Sequence, residues 1–561
     1  RHDGDFILES VTQVTHADVI ASEQAGLGMA LIPFVAHDDS MRALAGSNMQ
    51  RQAVPLVKQQ APLIGTGFEE VVGRQSSWAT FAEGDGVVEY ADATKVIVNY
   101  KDKNLGRRNY GLRKFYRSND NTSFSQYVRV NAGDKINKGD LIIDGPTMVN
   151  GELALGTNLR AALMFWEGYN YEDSVIISER VVKEDLLTSI HIREHSVEVR
   201  DTELGAEVIT ADIPHVSDRI LQKLDDRGIV RTGVRVKAGD ILVGIVAPRG
   251  EQELTAEERL LRAIFGESSS DVRDNSLRLP HGESGIVINT QVLSADNEDK
   301  LGPGVLHEVK IWVAKTKKIS YGDKISGRHG DKNTVAAIRP VEDMPFTEDG
   351  QPVDIILTPT FVKRMNMGQA VEVHFGKYAL DLGEKFAFPL FEDIDAKWVQ
   401  DAMKKNGFDM KEKVTLFDGR TGEKFPREVT VGMKYILKLH HIADEKVNAR
   451  STGPYTVVTQ QPLGGKSQMG GQRFGEMEVW ALEAHGTKAA LQEMLTIKSD
   501  DVKGRSAAYK AIIHGEKIEN IYVPASFRVL VSELNALGLK LDLISFKPQQ
   551  VEEKEVEENH D

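Results

Sequence analysis

Cations and glycines alternate between Lys310 and Lys332 in a way that suits phosphate binding. This stretch holds seven Lys and Arg residues against two Asp, in a chain whose net charge is −15. Within it, GDKISGRHGDK at 322–332 places three glycines among the cations. Glycine lets a backbone come close to a phosphate, and Lys supplies a compact positive charge. The pattern predicts a phosphate-binding loop. A solvated basic loop is the alternative, and the spacing of a Walker A loop is absent.

Three further segments carry planar or cationic donors that suit phosphate, ribose and base edges. The first runs from Met41 to Pro55, and an ordinary exposed helix is its alternative. The second is RMNMGQ at 364–369, and the third, from Ala449 to Trp480, mixes many glycines with Lys, Arg and Gln. Such a glycine-rich loop is expected to approach a polyanion or another chain. The candidate side chains of the three segments are Arg42, Asn48, Arg51, Gln52, Arg364, Asn366, Arg450, Lys466 and Arg473.

One acidic pair, Glu172 and Asp173, follows the aromatic-rich stretch WEGYNY. Adjacent carboxylates can help to hold Mg²⁺, directly or through water. A single pair is too few for a catalytic two-metal site, and a solvent-facing turn is the common alternative.

Several elements would position these side chains. Short Val- and Ile-rich segments from about 84 to 146 predict a β module, and 300–380 is predicted as strands joined by Gly-rich and charged loops. Gly-Asp pairs at 133–134, 139–140 and 239–240 predict tight turns before apolar strands. Apolar residues at helical intervals predict helices within 480–540, and the acidic end of the chain predicts a disordered tail.

A short helix is predicted from Glu257 to Gly266. It follows a capping box at 255–258 and ends at the glycine. Its apolar stripe consists of Leu260, Leu261, Ile264 and Phe265. The stripe either packs on its own domain or is offered to a partner protein, and the residues allow both interpretations.

Composition restricts the class of protein. The 561 residues are enough for about three or four domains, and 41% hydrophobic with 27% charged residues is typical of a soluble globular protein. No run approaches the length of a membrane span. The absence of Cys excludes disulfides and Cys-ligated zinc and favours a cytoplasmic location. The start of the chain has neither a signal peptide nor an initiator Met, which predicts a fragment of something longer.

In this order, the motifs resemble the C-terminal half of the beta subunit of bacterial-type multisubunit DNA-directed RNA polymerase. The blocks that carry the resemblance are NMQRQAVPL at 48–56, WEGYNYEDS at 166–174, LLRAIFGE at 260–267, GDKISGRHGDK at 322–332, RMNMGQ at 364–369, STGPYTVVTQQPLGGK at 451–466, GGQRFGEMEVWALEAHG at 470–486 and LTIKSDD at 495–501. The similarity covers nearly the whole chain, and LLRAIFGE points to the bacterial branch of the family.

The resemblance implies a β-rich, multidomain α+β fold. Its expected parts are the start of a hybrid-binding region at 1–199 with the β module at 84–146 inserted, a flap at 200–310 with its tip helix at 257–266, a double-psi β-barrel region at 311–475, a helical anchor or clamp segment at 476–545 and a disordered acidic tail at 546–561.

The resemblance also implies roles for matching positions. Lys324 and Lys332 would contact the RNA 3′ end and the initiating nucleotide, whereas Arg42 and Arg364 would contact the incoming triphosphate. Glu172 and Asp173 would assist the second Mg²⁺ through water. The side chains expected along the substrate and the RNA–DNA hybrid are Asn48, Arg51, Gln52, Arg328, His329, Asn366, Arg450, Lys466 and Arg473. The stripe at 260–265 would dock a sigma factor and elongation regulators.

The implied subunit works inside a larger nucleotidyltransferase at the nucleoid. Its expected partners are a beta-prime-like large subunit, an alpha dimer, an omega-like subunit, the N-terminal half of beta, template DNA, nascent RNA and nucleoside triphosphates. Mg²⁺ would be chelated mainly by the large subunit, because the family's Asn-Ala-Asp-Phe-Asp-Gly-Asp motif is absent here. No zinc is expected, and the isolated chain is expected to be inactive.

Three departures from the family pattern stand out. Asp331 occupies a position where Asn is usual and would place a negative charge beside Lys332, which predicts weakened substrate affinity. Asn448 occupies a position where His is common, which removes one RNA contact. The segment 377–412 diverges and has no assigned role.

Two other classes of function compete with a polymerase subunit. A stand-alone scaffold could bind regulators through the helix at 257–266 without doing chemistry. An independent nucleotide-binding enzyme is disfavoured, because the chain lacks a complete metal site.

Overall fold

A computed structural model of the chain describes residues 8, 10–15, 25–202, 205–214, 216–248, 272–294, 301–391, 401, 404–405, 413–518 and 523–541. The chain divides into two compact units, and the boundary lies between Ala443 and Asp444. The predicted stripe of Leu260, Leu261, Ile264 and Phe265 and the predicted tail at 546–561 lie outside the described residues.

Most helices are short, and their ends follow local capping rules. The Asp39 carboxylate accepts a hydrogen bond of 3.1 Å from the Met41 N–H at the start of α2. Gly383, with a φ of 71°, ends α7. The α-helices are α1 (Leu27–Ala30), α2 (Ser40–Arg51), α3 (Phe68–Gln75), α4 (Glu179–Lys183), α5 (Asp218–Leu221), α6 (Phe361–Arg364), α7 (Gly368–Leu382), α8 (Ala443–Lys446), α9 (Glu476–Ala484), α10 (Lys488–Leu495), α11 (Val502–His514) and α12 (Ala525–Ala536).

The β structure predicted for 84–146 is present. Strands β3 and β4 pair antiparallel with Val88 opposite Val98, and both side chains are buried in a core of this region's own. The strands up to residue 178 are β1 (Ile64–Gly65), β2 (Thr80–Phe81), β3 (Gly86–Ala91), β4 (Lys95–Tyr100), β5 (Arg107–Gly111), β6 (Tyr116–Arg117), β7 (Ser123–Phe124), β8 (Tyr127–Val128), β9 (Lys135–Ile136), β10 (Leu141–Asp144), β11 (Met148–Val149), β12 (Glu152–Leu153), β13 (Thr157–Leu163) and β14 (Ser174–Ser178).

The three Gly-Asp turns have the predicted tight geometry. In each, the Asp carboxylate accepts a 2.7 Å hydrogen bond from the backbone N–H three residues earlier. The preceding glycine has a φ between 85° and 95°, a conformation that disfavours a side chain. The three carboxylates belong to Asp134, Asp140 and Asp240.

A second β-rich region spans about 189–317 and has its own hydrophobic core, which includes Val199, Val236, Val287 and Ile311. Its five-stranded antiparallel sheet has the order β16-β15-β24-β23-β18. The strands are β15 (Ser189–Thr202), β16 (Gly205–Ala206), β17 (Val208–Ile209), β18 (Arg235–Lys237), β19 (Ile241–Val243), β20 (Ile245–Pro248), β21 (Val272–Asp274), β22 (Leu277–Arg278), β23 (Ser284–Ser294) and β24 (Val305–Lys317).

The first unit contains a closed six-stranded barrel with the strand order β13-β28-β14-β26-β25-β31. Strands β13 and β28, and likewise β14 and β26, pair in parallel, and the remaining pairs are antiparallel. Buried aliphatic side chains, among them Leu159, Ile177 and Ile355, form its core. The remaining strands are β25 (Lys324–Ser326), β26 (Lys332–Arg339), β27 (Phe346–Thr347), β28 (Ile355–Leu357), β29 (Phe386–Ala387), β30 (Leu416–Phe417) and β31 (Thr430–Lys438).

The prediction of strands throughout 300–380 is wrong at its end, where α6 and α7 occupy 361–382. The glycines of this region suggested loops and turns in the sequence. In the structure they instead allow close packing between neighbouring segments. A Cβ on Gly376 of α7 would lie 2.1 Å from the Met433 carbonyl oxygen, and a Cβ on Gly432 would lie 1.9 Å from the Val373 carbonyl oxygen. The divergent segment 377–412 contributes the end of α7 and strand β29, which pairs in parallel with β1.

The second unit contains the helices predicted for 480–540. Asp501 caps the helix α11, and its carboxylate accepts a 2.9 Å hydrogen bond from the Gly504 N–H. Among the described residues of both units, no helix has the length and apolar character needed to cross a membrane.

Candidate functional site

Two of the predicted lysines lie on one hairpin of the barrel. This barrel hairpin consists of β25, the turn 327–331 and β26, with Lys324 opposite Thr334 and Ser326 opposite Lys332. Directly opposed residues of an antiparallel pair share a face, so Lys324 and Lys332 project from the same side. Both side chains are partly exposed.

The predicted Arg42 reaches the turn of this hairpin. Its guanidinium donates a 3.0 Å hydrogen bond to the Gly330 carbonyl. The helix that carries it packs tightly, since a Cβ on Gly46 would lie 2.0 Å from the Arg328 carbonyl oxygen. The helix α2 therefore requires glycine at position 46 to deliver Arg42 to the turn.

Arg364 and Asp173 also lie beside the barrel hairpin. The two side chains form an ion pair of 2.5 Å. The Asp173 carbonyl accepts a 2.8 Å hydrogen bond from the Thr334 N–H, two residues after Lys332. The structure thus brings Arg42, Lys324, Lys332 and Arg364 around one hairpin, although they come from three separate segments of the chain.

The acidic pair sits in an unusual backbone conformation. Glu172 and Asp173 have φ values of 49° and 63°, in the left-handed region that non-glycine residues rarely adopt. The turn directs them differently, because Asp173 pairs with Arg364 whereas Glu172 is exposed. Among the described residues, no group of three or more His, Asp or Glu could hold a metal ion. Two adjacent carboxylates are too few for a complete Mg²⁺ chelate.

Two residues predicted to touch nucleic acid face the interior. Arg328 is 3% exposed and His329 is completely buried. Arg328 pairs with Glu372 and donates a 2.7 Å hydrogen bond to the Ile64 carbonyl. The two ring nitrogens of His329 lie 2.6 Å from Asp38 and 3.0 Å from Glu372. This geometry supports a positioning role for both residues and not direct contact with a substrate.

The buried histidine is held in its charged form. Burial opposes the charge, but hydrogen bonds to Asp38 and Glu372 outweigh it and raise the pKa of His329 to about 9. Burial also opposes the charge on Glu372, but Arg328 and His329 lower the pKa of this carboxyl. The turn 327–331 is thus fixed by a network of buried ions.

Asn366 belongs to the same network. It is completely buried and donates a 3.1 Å hydrogen bond to the His329 carbonyl, while accepting one of 3.0 Å from Gln369. The sequence reasoning missed four members of this network, because only the fold brings them to the turn. They are Asp38, Gln369, Glu372 and Lys434.

Asp331 does not present a free charge to Lys332. Its carboxylate is 6% exposed and lies 2.6 Å from the ammonium of Lys434, which is 1% exposed. The negative charge at this position is therefore compensated within the fold, and the weakened substrate affinity stays a prediction. The compensating cation stands 103 residues away in sequence and carries no recognisable motif.

The remaining candidates on α2 lie at its end. Asn48 and Arg51 are exposed and hydrogen-bond to each other. Gln52 follows the helix, and its side-chain oxygen lies 3.2 Å from Nε2 of His441. These side chains remain near the surface, where a ligand could reach them.

The candidates of the second unit contact carbonyls and rings. Arg450 donates to the Met469 carbonyl at 3.1 Å and lies over the Tyr455 ring, and Lys466 donates to the Glu445 carbonyl at 3.0 Å. Arg473 is exposed. Asn448 donates a 2.9 Å hydrogen bond to the Gly470 carbonyl, so this departure from the family pattern stabilises the loop.

Comparison with known families decides the relationship of the chain. Residues 81–468 match the family described as RNA polymerase Rpb2, domain 6, and residues 470–545 match RNA polymerase Rpb2, domain 7. The chain belongs to the RNA polymerase Rpb2 family. The resemblance inferred from the sequence is thereby confirmed.

Relatives in this Rpb2 family include three proteins named DNA-directed RNA polymerase subunit beta. The chain is 51% identical over 545 residues to that of Clostridioides difficile, covering 97% of this chain and 44% of the relative. It is 53% identical over 555 residues to that of Caldicellulosiruptor bescii, covering 98% of this chain and 45% of the relative. It is 52% identical over 556 residues to that of Clostridium beijerinckii, covering 99% of this chain and 45% of the relative. The chain spans less than half the length of these relatives.

Proposed function

We propose that this chain is part of a DNA-dependent RNA polymerase and forms the phosphate-binding side of its active centre. The observation that carries the proposal is the convergence of Arg42, Lys324, Lys332 and Arg364 around the barrel hairpin of an Rpb2-family chain. Nucleotidyl transfer needs charge stabilisation and positioning more than a nucleophile from the protein. Separate segments that direct cations to one place meet this need.

The roles proposed for these residues are those that the family resemblance implies. Lys324 and Lys332 are partly exposed and would contact the RNA 3′ end and the initiating nucleotide. Arg42 and Arg364 would contact the incoming triphosphate. Asn48, Arg51 and Gln52, with Arg450, Lys466 and Arg473, would line the RNA–DNA hybrid.

Mg²⁺ would supply charge neutralisation at the reacting phosphate. Glu172 and Asp173 would assist through water, and another subunit would provide the chelate. The proposal therefore includes a beta-prime-like large subunit, the N-terminal half of beta, an alpha dimer and an omega-like subunit as partners. The isolated chain would be inactive.

The finer architecture of the family is part of the same proposal. The two parallel strand pairs of the barrel, β13 with β28 and β14 with β26, support a double-psi topology. The separate core at 189–317 supports a flap. The stripe predicted at 260–265 would bind a sigma factor or an elongation regulator.

The test is reconstitution with the remaining polymerase subunits. The assembled complex should synthesise RNA on a DNA template with Mg²⁺, whereas the chain alone should not. Lys332→Ala should lower the rate by about 100-fold, as expected for loss of one preorganised contact to developing charge. The matched control is Lys183→Ala on α4, which removes a lysine paired with Glu179 on the surface.

Two results would contradict the proposal. RNA synthesis by the chain alone would show that a complete active centre lies within it. A complex that assembles and binds regulators but works equally well with Lys332→Ala would favour the scaffold function.

A further inference from the structure

A buried ion pair stands directly behind the turn of the barrel hairpin. Lys434 of β31 lies 2.6 Å from Asp331 and donates a second hydrogen bond, of 2.8 Å, to the side-chain oxygen of Gln369. Asp331 and Lys434 are 6% and 1% exposed. This cluster therefore joins the turn, a barrel strand and the helix α7.

The negative charge of the Asp331 carboxylate depends on Lys434 for its compensation. Its second carboxylate oxygen, Oδ1, has no hydrogen-bond partner among the described residues. The same oxygen faces Gly327, where a Cβ would lie 2.6 Å from it. A buried carboxylate with one partner is costly to leave unpaired.

The Asp331–Lys434 pair is linked through the backbone of the turn to two proposed phosphate ligands, Lys332 and Arg42. Asp331 immediately precedes Lys332, and Gly330, on its other side, accepts the hydrogen bond from Arg42. A shift of Asp331 would therefore move the backbone of Lys332 and the acceptor of Arg42 together.

We propose that Asp331 and Lys434 act as one positioning unit that holds the barrel hairpin in its nucleotide-binding geometry. The Lys434 charge also keeps Asp331 from drawing Lys332 away from a phosphate. The inference rests on the proposed function, because its readout is nucleotide binding. Neither residue is proposed to touch the substrate.

The two single substitutions should differ in severity. Lys434→Met leaves an uncompensated carboxylate beside Lys332, and we expect the KM for nucleoside triphosphates to rise about tenfold. Asp331→Asn leaves a neutral acceptor for Lys434, and the expected rise is about threefold. In both variants kcat should change less than KM, because the effect acts on binding.

The decisive test is the double variant in the reconstituted complex. Adding Asp331→Asn to Lys434→Met removes the unpaired carboxylate, so the KM should return to within about twofold of the original value. Asp331→Asn thus impairs nucleotide binding when it is the single substitution. It restores nucleotide binding when Lys434→Met is also present. A merely structural pair would alter stability without this reversal in KM.

The control is an exposed pair of the same chemistry, Lys385 with Glu152, at 2.6 Å. Lys385→Met and Glu152→Gln, singly and together, should leave the KM unchanged. Thermal unfolding of the full chain identifies any variant that fails to fold, and Lys434→Gln then replaces Lys434→Met.

The outcomes separate the inference from the proposed function. An inactive original complex contradicts the proposed function. An active complex in which the KM effects of Asp331 and Lys434 simply add, or in which neither changes the KM, overturns the positioning unit alone.

Discussion

The turn 327–331 and the loop 444–475 both carry cations, yet they use them differently. Arg328 and His329 of the turn are paired with buried carboxylates. Arg450 and Lys466 of the loop instead contact backbone carbonyls and an aromatic ring.

The comparison shows that a basic sequence motif does not reveal which cations remain available. A cation paired with a buried carboxylate stabilises the fold and is neutralised there. A cation held by a carbonyl keeps its net charge for a ligand.

Removing the central carboxylate of the turn should have the largest effect. Glu372→Gln leaves Arg328 and His329 without their shared partner, and breaking a buried ion pair costs about 3–5 kcal/mol of unfolding free energy. Denaturant unfolding measures this loss. Glu89→Gln, which breaks an exposed pair with Arg107, is the control and should cost less than about 1 kcal/mol. Equal losses in both variants would contradict the distinction between buried and exposed cations.

The pH dependence of stability should follow His329. Its pKa is raised from 6.5 to about 9 in the folded chain. The stabilisation is therefore complete below about pH 6.5 and is lost as the pH rises through 9, by on the order of 3 kcal/mol. Glu372 gives the opposite pH dependence, because its pKa is lowered in the folded chain. The stabilisation that Glu372 contributes is lost as the pH falls below the ordinary carboxyl range.

Unfolding measured from pH 6 to pH 9.5 checks this dependence. His329→Gln should flatten the alkaline limb, whereas the exposed His281→Gln should leave it as in the original chain. If the stability of His329→Gln still falls at alkaline pH, another group is responsible for that loss.

Crowding at the turn should be visible in a pair of glycine substitutions. Gly330 and Gly350 share a φ of 72°, so alanine strains both backbones equally. A Cβ on Gly330 would lie 2.5 Å from the Arg42 carbonyl oxygen, whereas nothing lies within 4 Å of one on Gly350. Gly330→Ala should cost about 1–3 kcal/mol more than Gly350→Ala. Equal unfolding energies would contradict the close packing of α2 on the turn.

The smallest effect on stability is expected in the loop 444–475. Lys466→Ala should cost less than about 1 kcal/mol of unfolding free energy. In the assembled complex it should weaken binding of an RNA–DNA hybrid and reduce the salt dependence of that binding by about one ion. Lys498→Ala, which removes an exposed lysine paired with Glu493, is the control. A large loss of stability with unchanged salt dependence of binding would contradict the assignment of Lys466 to nucleic-acid binding.

Much of the candidate site could be predicted from local patterns. Glycine beside lysine marked the barrel hairpin, and valine-rich segments marked the β module, because both signals act over a few residues. The helix at 368–382 was missed because its glycines pack against segments that are far away in sequence, Gly376 against β31 and Gly368 against Asp38 and His329. The partners of Arg328, His329 and Asp331 were missed for the same reason.

The amino-acid sequence alone established the family and the cationic segments. The folded structure was needed to show that Arg328 and His329 are internal and that Lys434 compensates Asp331. Burial and ion pairing depend on distances between remote segments, which local patterns do not record. A chain records its charges along its length, but the fold determines which charges neutralise one another.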